Sequence, residues 1–226
     1  ELEHEQSFHE AAYTFVMFER KCTIVFIKPT TVVTHKIHKC MQLMKLWLYI
    51  LCKYSFHSSS QCSQDLTIYF YMTSLKKQLP KSPKVPVVLG ESHVNTAFTT
   101  SCPRKGEIVI YRQQEWFKVF VHETFHCFGW DFSEMNAHLP LLHQHVRILF
   151  QVDSKVNLYE AYAEFWAQII NASVYSFLST SAKSVQGFVA QVTKLLQAEQ
   201  RFGLYQMSKI LRYMNLEYTD LFDKTK

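Results

Sequence analysis

Glycine and proline are scarce, five and six in 226 residues. Their scarcity excludes long disordered linkers and fibrous repeats and leaves a compact globule. The six cysteines (Cys22, Cys40, Cys52, Cys62, Cys102, Cys127) contain no CxxC pair. Neither a zinc ribbon nor a small disulfide scaffold is indicated, and the expectation is reduced thiols in an intracellular rather than a secreted setting. No apolar run reaches the roughly 20 residues that a membrane helix needs. The most apolar stretch, Met41 to Cys52, carries Lys45 and reads as a buried helix. The start, Glu1-Leu2-Glu3-His4-Glu5, is acidic and unlike a secretory leader. With no initiating Met, the chain reads as beginning inside a longer or processed product. Long basic tracts are lacking too. The formal charge is +5, but Lys36, Lys39 and Lys45, then Lys76, Lys77, Lys81 and Lys84, are not interleaved with aromatics or glycines. They read as a solvated face, with no nucleic-acid partner implied.

What the chain has is apolar mass: 48% hydrophobic and 15% aromatic residues, enough for one domain with a sizeable core, or one domain with a small helical appendage. Ala11 to Ile27 is rich in aromatic and β-branched residues, with a strand at Thr23 to Ile27. Val33, Ile37, Met41, Met44, Leu48 and Leu51 recur at helical spacing and predict an amphipathic helix from about Thr31 to Tyr54, closed by a loop at Ser58-Ser59-Ser60. Strands follow at Leu66 to Tyr71, Val94 to Thr100 and Glu107 to Tyr111, with a loop over Lys81 to Pro86. A helix from about Gln113 to Phe128 is stopped by Gly129. Beyond Asp131 the pattern is helical, with helices over Asn157 to Leu178, Ala182 to Arg201 and Leu204 to Leu216. The class is α+β: a small mixed sheet followed by helices, divided at 1–130 and 131–226.

One segment carries chemistry. Val121-His122-Glu123-Thr124-Phe125-His126 contains HExxH. On a helix, positions i and i+4 share a face, so His122 and His126 can both aim a ring nitrogen at one ion. Glu123 cannot easily reach that ion but can reach water bound to it. Zinc lowers the pKa of such a water to about 7, and the carboxylate takes its proton as a carbonyl is attacked. By itself the pattern is short enough to arise by chance. A catalytic zinc also needs a third protein ligand and an open position. The candidates are Asp131, which lies one residue before the position (Phe132) where an HExxHxxGxxH pattern would put its last His, and the acids of Leu158 to Ala167. Cys127, beside His126, points about 100° away and reads as a buried small hydrophobe. Met41, Met44, Phe117, Phe120, Phe125 and Phe128 read as core.

Glu160-Ala161-Tyr162-Ala163-Glu164-Phe165 resembles the E-x-x-A-E-aromatic helix that supplies the third ligand in gluzincins. The resemblance implies a zincin-like fold and Zn2+ held by His122, His126 and Glu160. It implies Glu123 as general base and Glu164 as a supporting acceptor or alternative ligand. Residues 1–130 would then be the subdomain with the sheet and HExxH helix, and 131–226 the helical subdomain supplying the third ligand. More broadly, Leu66 through Asn171, including His93 to Thr99, Tyr111 to Phe120 and His122 to Phe132, resembles an uncharacterised metalloprotease-like family of nucleocytoplasmic large DNA viruses. That likeness implies a viral protein acting in the host cytoplasm or the virion. In zincins the strand bordering the cleft pairs with an extended substrate, which assigns Asn95, Thr96, Ala97 and Phe98 to that edge. An oxyanion stabiliser is expected among His138, His143, His145, Tyr159 and Tyr162, and the sequence does not choose. The three histidines read as surface residues rather than a second metal site. The function expected is hydrolysis of a peptide or protein substrate, with the oligomeric state open. The alternative is a catalytically silent virion or host-interaction protein that keeps the fold.

Overall fold

The described residues open with two long strands, β1 (Phe8–Met17) and β2 (Arg20–Pro29). They pair antiparallel from Phe8↔Pro29 to Met17↔Arg20. Phe18 and Glu19 turn the chain with φ of 46° and 67°, the double positive φ of a two-residue turn whose twist matches that of the strands. Neither residue is a turn former, which is why the sequence shows one β-rich run there rather than two strands. The computed structural model describes residues 8–30, 34–56, 61–80, 89–133, 139–151, 156–179 and 184–225. The loops expected at Ser58 to Ser60 and Lys81 to Pro86, and His138, lie outside the described residues.

Helix α1 (Thr34–Ser55) carries the chain from β2 to β3 (Asp65–Tyr71), which lies parallel to β2. A short helix α2 (Glu91–Val94) and strand β4 (Ala97–Thr99) precede β5 (Lys105–Ile110). The sheet is mixed, in the order β1-β2-β3-β5-β4, with β4 antiparallel to β5 at one edge. The strand expected over Val94 to Thr100 is thus shorter. Val94 ends a helical turn, and Asn95 and Thr96 lead into the strand. The Thr96 carbonyl still accepts the Tyr111 N–H at 3.0 Å.

One face of the sheet forms three apolar rows across β2, β3 and β5. Cys22, Leu66 and Gly106 lie in one row, Ile24, Ile68 and Ile108 in the next, and Phe26, Phe70 and Ile110 in the third. All but the glycine are buried hydrophobics with no exposed surface, and each such side chain is worth roughly 1.5–3 kcal/mol of burial. Helix α3 (Trp116–Cys127) follows β5 and packs on β4 and β5, while α1 packs on β1 and β2 and touches α3. The expected core residues Met41, Met44, Phe117, Phe120, Phe125 and Phe128 are all buried.

Contacts divide the chain into two units, residues 1–78 with 90–131, and residues 79–89 with 132–226. Within the second unit lie α4 (Leu139–Leu149), α5 (Leu158–Ser179) and α6 (Val185–Tyr213), followed by a 3-10 turn at Tyr218–Phe222. Helices α5 and α6 pack together. The two helices expected over Ala182 to Leu216 are one helix. Gly203 sits inside it with open space where a Cβ would be, and one interior glycine costs a 29-residue helix only about 1 kcal/mol. Among the described residues no helix is long and apolar enough to cross a membrane.

Candidate metal centre

Helix α3 presents the HExxH face. His122 and His126, one turn apart, bring their Nε2 atoms within 3.0 Å. That is hydrogen-bond distance between the two rings, and two nitrogens bound at 2.0–2.1 Å around one tetrahedral ion would stand about 3.3 Å apart, so a shared ion requires only a small separation of the pair. His126 and Glu123 are buried, and His122 is half-buried.

The helix end fixes the second imidazole. Gly129, at φ 64°, ends the helix as expected. Its N–H bonds to the His126 carbonyl at 3.0 Å and the Trp130 N–H to the Phe125 carbonyl at 2.8 Å, the paired bonds of a Schellman cap. The cap reverses the chain and returns Asp131 to the ring. Asp131 Oδ2 takes His126 Nδ1 at 2.5 Å, with the carboxylate side chain fully buried. With its Nδ1 proton directed at a carboxylate, the imidazole keeps the Nε2 lone pair for a metal. Asp131 is therefore a partner of His126, a candidate ligand, whereas its position in the sequence suggests a third ligand. An acid placed two residues beyond a capping glycine was the available signal.

The helix is held from behind by α1. Trp47 Nε1 donates to Thr124 Oγ1 at 2.8 Å, and the indole stacks on Phe125 and meets Trp130 edge-on. Gly106 on β5 lets the helix end close on the sheet, since a Cβ there would lie 2.7 Å from both Cys127 Sγ and Ser63 Oγ. Cys127 is buried, as expected, and burial pushes its thiol up against the partial offset of a Ser63 hydrogen bond.

Two of the cysteines pair although no spacing motif joins them. Cys62 and Cys102 form a disulfide, while Cys22, Cys40, Cys52 and Cys127 are free and buried. The two bridged cysteines stand 40 residues apart, against the expectation of reduced thiols. The Cys102 N–H donates to the His126 carbonyl at 3.0 Å.

In the second unit, Glu160 stands exposed in the first turn of α5, its N–H bonded to the Asn157 carbonyl at 3.1 Å. Glu164, one turn on and half-buried, accepts from Gln168 Nε2 at 3.1 Å. The buried positions of α5 are small: Ala163, Ala167, Ala172 and Ser176. Tyr162 lies edge-on to Phe132, and His143 and His145 sit on α4.

His122 and His126 in the first unit and Glu160 in the second are residue types that could hold a metal ion. Two imidazoles and a carboxylate fit such an ion, and nothing in the donor set alone names it as zinc. Of the edge residues expected to meet substrate, Ala97 and Phe98 are on β4, Ala97 buried and Phe98 exposed, while Asn95 and Thr96 precede it. No protein-family model matches the chain, and no curated protein or solved structure matches it either.

Proposed function

We propose that this chain is a zinc-dependent metallopeptidase in which His122, His126 and Glu160 hold the ion and Glu123 is the general base. The observation that carries the reading is the convergence of the two Nε2 atoms at 3.0 Å while Asp131 takes the Nδ1 of His126. An ion between the rings would replace the hydrogen bond that the two Nε2 atoms make to each other. Two His and one Glu also make the donor set of catalytic zinc sites that keep a fourth position open.

When bound, zinc acts as a Lewis acid and lowers the pKa of water to about 7. The chain supplies the rest. Glu123, next to His122 on the helix, takes the proton of the attacking water and delivers it to the leaving amine. Asp131 holds the His126 ring in one tautomer. Glu164 supports the ligands or replaces Glu160 among them. The outer edge of β4, at Ala97 and Phe98, offers backbone groups to an extended peptide, and the sheet edge supports that role because β4 runs antiparallel to its neighbour. The resemblance of Leu66 to Asn171 to the large-DNA-virus family supports a viral origin and action in the host cytoplasm or the virion.

A fluorogenic peptide library, with and without chelator, separates a peptidase from a silent protein of the same fold. Chelator-sensitive cleavage is expected. Glu123→Gln should abolish it and leave one zinc per chain, and His126→Ala should lose the zinc. Hydrolysis retained by Glu123→Gln rules out the mechanism, and a zinc-loaded chain that cleaves no peptide favours the silent alternative.

A further inference from the structure

We infer that the Cys62–Cys102 disulfide is a thiol-sensitive latch on the metal centre, whose reduction loosens the His126 end of α3 and weakens metal binding. The inference rests on the metal-centre reading above, and its geometry lies wholly within the first unit.

The disulfide touches the helix end at two points. Cys102 donates its backbone N–H to the His126 carbonyl at 3.0 Å. Gly129, whose cap turns the chain toward Asp131, lies against the sulfurs, since a Cβ on it would stand 3.2 Å from Cys62 Sγ and 3.5 Å from Cys102 Sγ. The bridge thus supports both the backbone of one proposed ligand and the turn that delivers that ligand's carboxylate partner.

Both arms of the bridge are held in uncommon backbone conformations. Cys102 has φ 44°, and Ser63, next to Cys62, has φ 53°, a region sparsely populated by residues with a Cβ. On the Ser63 side, other bonds remain after reduction. The Ser63 N–H donates to the Pro103 carbonyl at 2.6 Å and its hydroxyl to the Cys127 carbonyl at 2.7 Å. Arg20 donates to the Cys62 carbonyl and lies over the Phe128 ring. The Ser63 bond to Pro103 also ties the residue that follows Cys102, whose own N–H bonds to the His126 carbonyl. Cutting the bridge removes the covalent tie on Cys102 in its left-handed conformation, which loosens the N–H bond to the His126 carbonyl.

The reaction is thiol–disulfide exchange with a dithiol reductant. Its thiolate attacks the sulfur of Cys102, the less buried of the pair, and Cys62 departs as thiolate. The second reductant thiol then resolves the mixed disulfide. Two electrons and two protons pass to Cys62 and Cys102, which end as thiols, and the reductant ends as a disulfide.

The test compares the oxidised chain with chain reduced by dithiothreitol and desalted without air. Zinc is titrated against a chromophoric chelator, and amide hydrogen exchange of residues 126–131 is followed in the metal-free protein. The expected result is a roughly 10–100-fold loss of zinc affinity on reduction, the range for losing a ligand's outer support. Faster exchange at 126–131 should accompany it, and both should reverse on reoxidation. The Cys62→Ser/Cys102→Ser variant should match the reduced chain, and if it does not fold, the reversible reduction decides. Equal affinity and unchanged exchange in the two forms overturn the latch alone. An oxidised chain that binds no zinc overturns the metal-centre reading, a separate outcome.

Discussion

Asp131 is a single carboxylate whose work is done through one imidazole. Its Oδ2 lies 2.5 Å from His126 Nδ1. Replacing it with asparagine keeps the shape but offers the ring nitrogen a neutral acceptor, or the wrong half of an amide. Outer partners of this kind are worth about 10–100-fold in metal affinity. Asp131→Asn should therefore bind zinc about 10–100-fold more weakly in a chelator competition with folding intact, and an unchanged affinity would remove it from the site. Cys40 makes a second residue-scale case, in pH. Burial on α1 pushes its thiol from 9.0 up to about 11. The folded value lies above the unfolded one, so the neutral thiol's stabilisation is complete below about pH 9 and is lost as pH rises toward 11. A displacement of that size corresponds to roughly 3 kcal/mol. Urea midpoints measured from about pH 8 to about pH 10.5 should fall along that window in the parent and more shallowly in Cys40→Ala. At this scale HExxH was legible because its letters are adjacent. The Asp131 contact was not, because it depends on a chain reversal that only the folded cap supplies.

At the scale of elements, two glycines let α3 close on its surroundings for different reasons. Gly129 occupies φ 64°, where any Cβ is strained, and its neighbour at 3.2 Å is a bridged sulfur that cannot swing away. Gly129→Ala should cost about 1–2 kcal/mol. Gly106 has ordinary backbone, yet a Cβ would stand 2.7 Å from Cys127 Sγ and Ser63 Oγ, so Gly106→Ala should overpack the contact between helix and sheet by about 1–3 kcal/mol. Denaturant melts of both variants check the pair, and a neutral Gly106→Ala would mean that the helix end is not seated on β5. The strands β3 and β5 and the helices α1, α3 and α5 were legible because their apolar residues repeat at 2.0 or 3.6. The β1–β2 turn was hidden because Phe18 and Glu19 carry no turn signature, and β4 was overextended because Val94 and Asn95 look like strand residues while the backbone there is helical and then irregular.

For the whole molecule, sequence pattern reached the α+β class. Strand order, register and the Cys62–Cys102 bridge stayed out of reach, since they join residues tens of positions apart with no local mark. The same separation applies to the proposed ligand set, in which Glu160 is 34 residues from His126 in sequence. A ligand that binds only the folded chain raises stability by about 2.7 kcal/mol at 100 times its Kd. For a chain of this size each kcal/mol moves Tm by roughly 2–4 °C, so saturating zinc should raise Tm by about 5–10 °C over chelator-treated protein. The two acids of α5 then separate by their effect on that shift. Glu160→Gln should remove most of it, because the ion loses its one anionic ligand. Glu164→Gln should keep most of it, because a Gln168 amide already occupies part of that carboxylate. The reverse pattern would transfer the ligand role one turn along the helix and leave the chemistry of Glu123 as proposed. A shift untouched by either change would mean that the ion is held without α5.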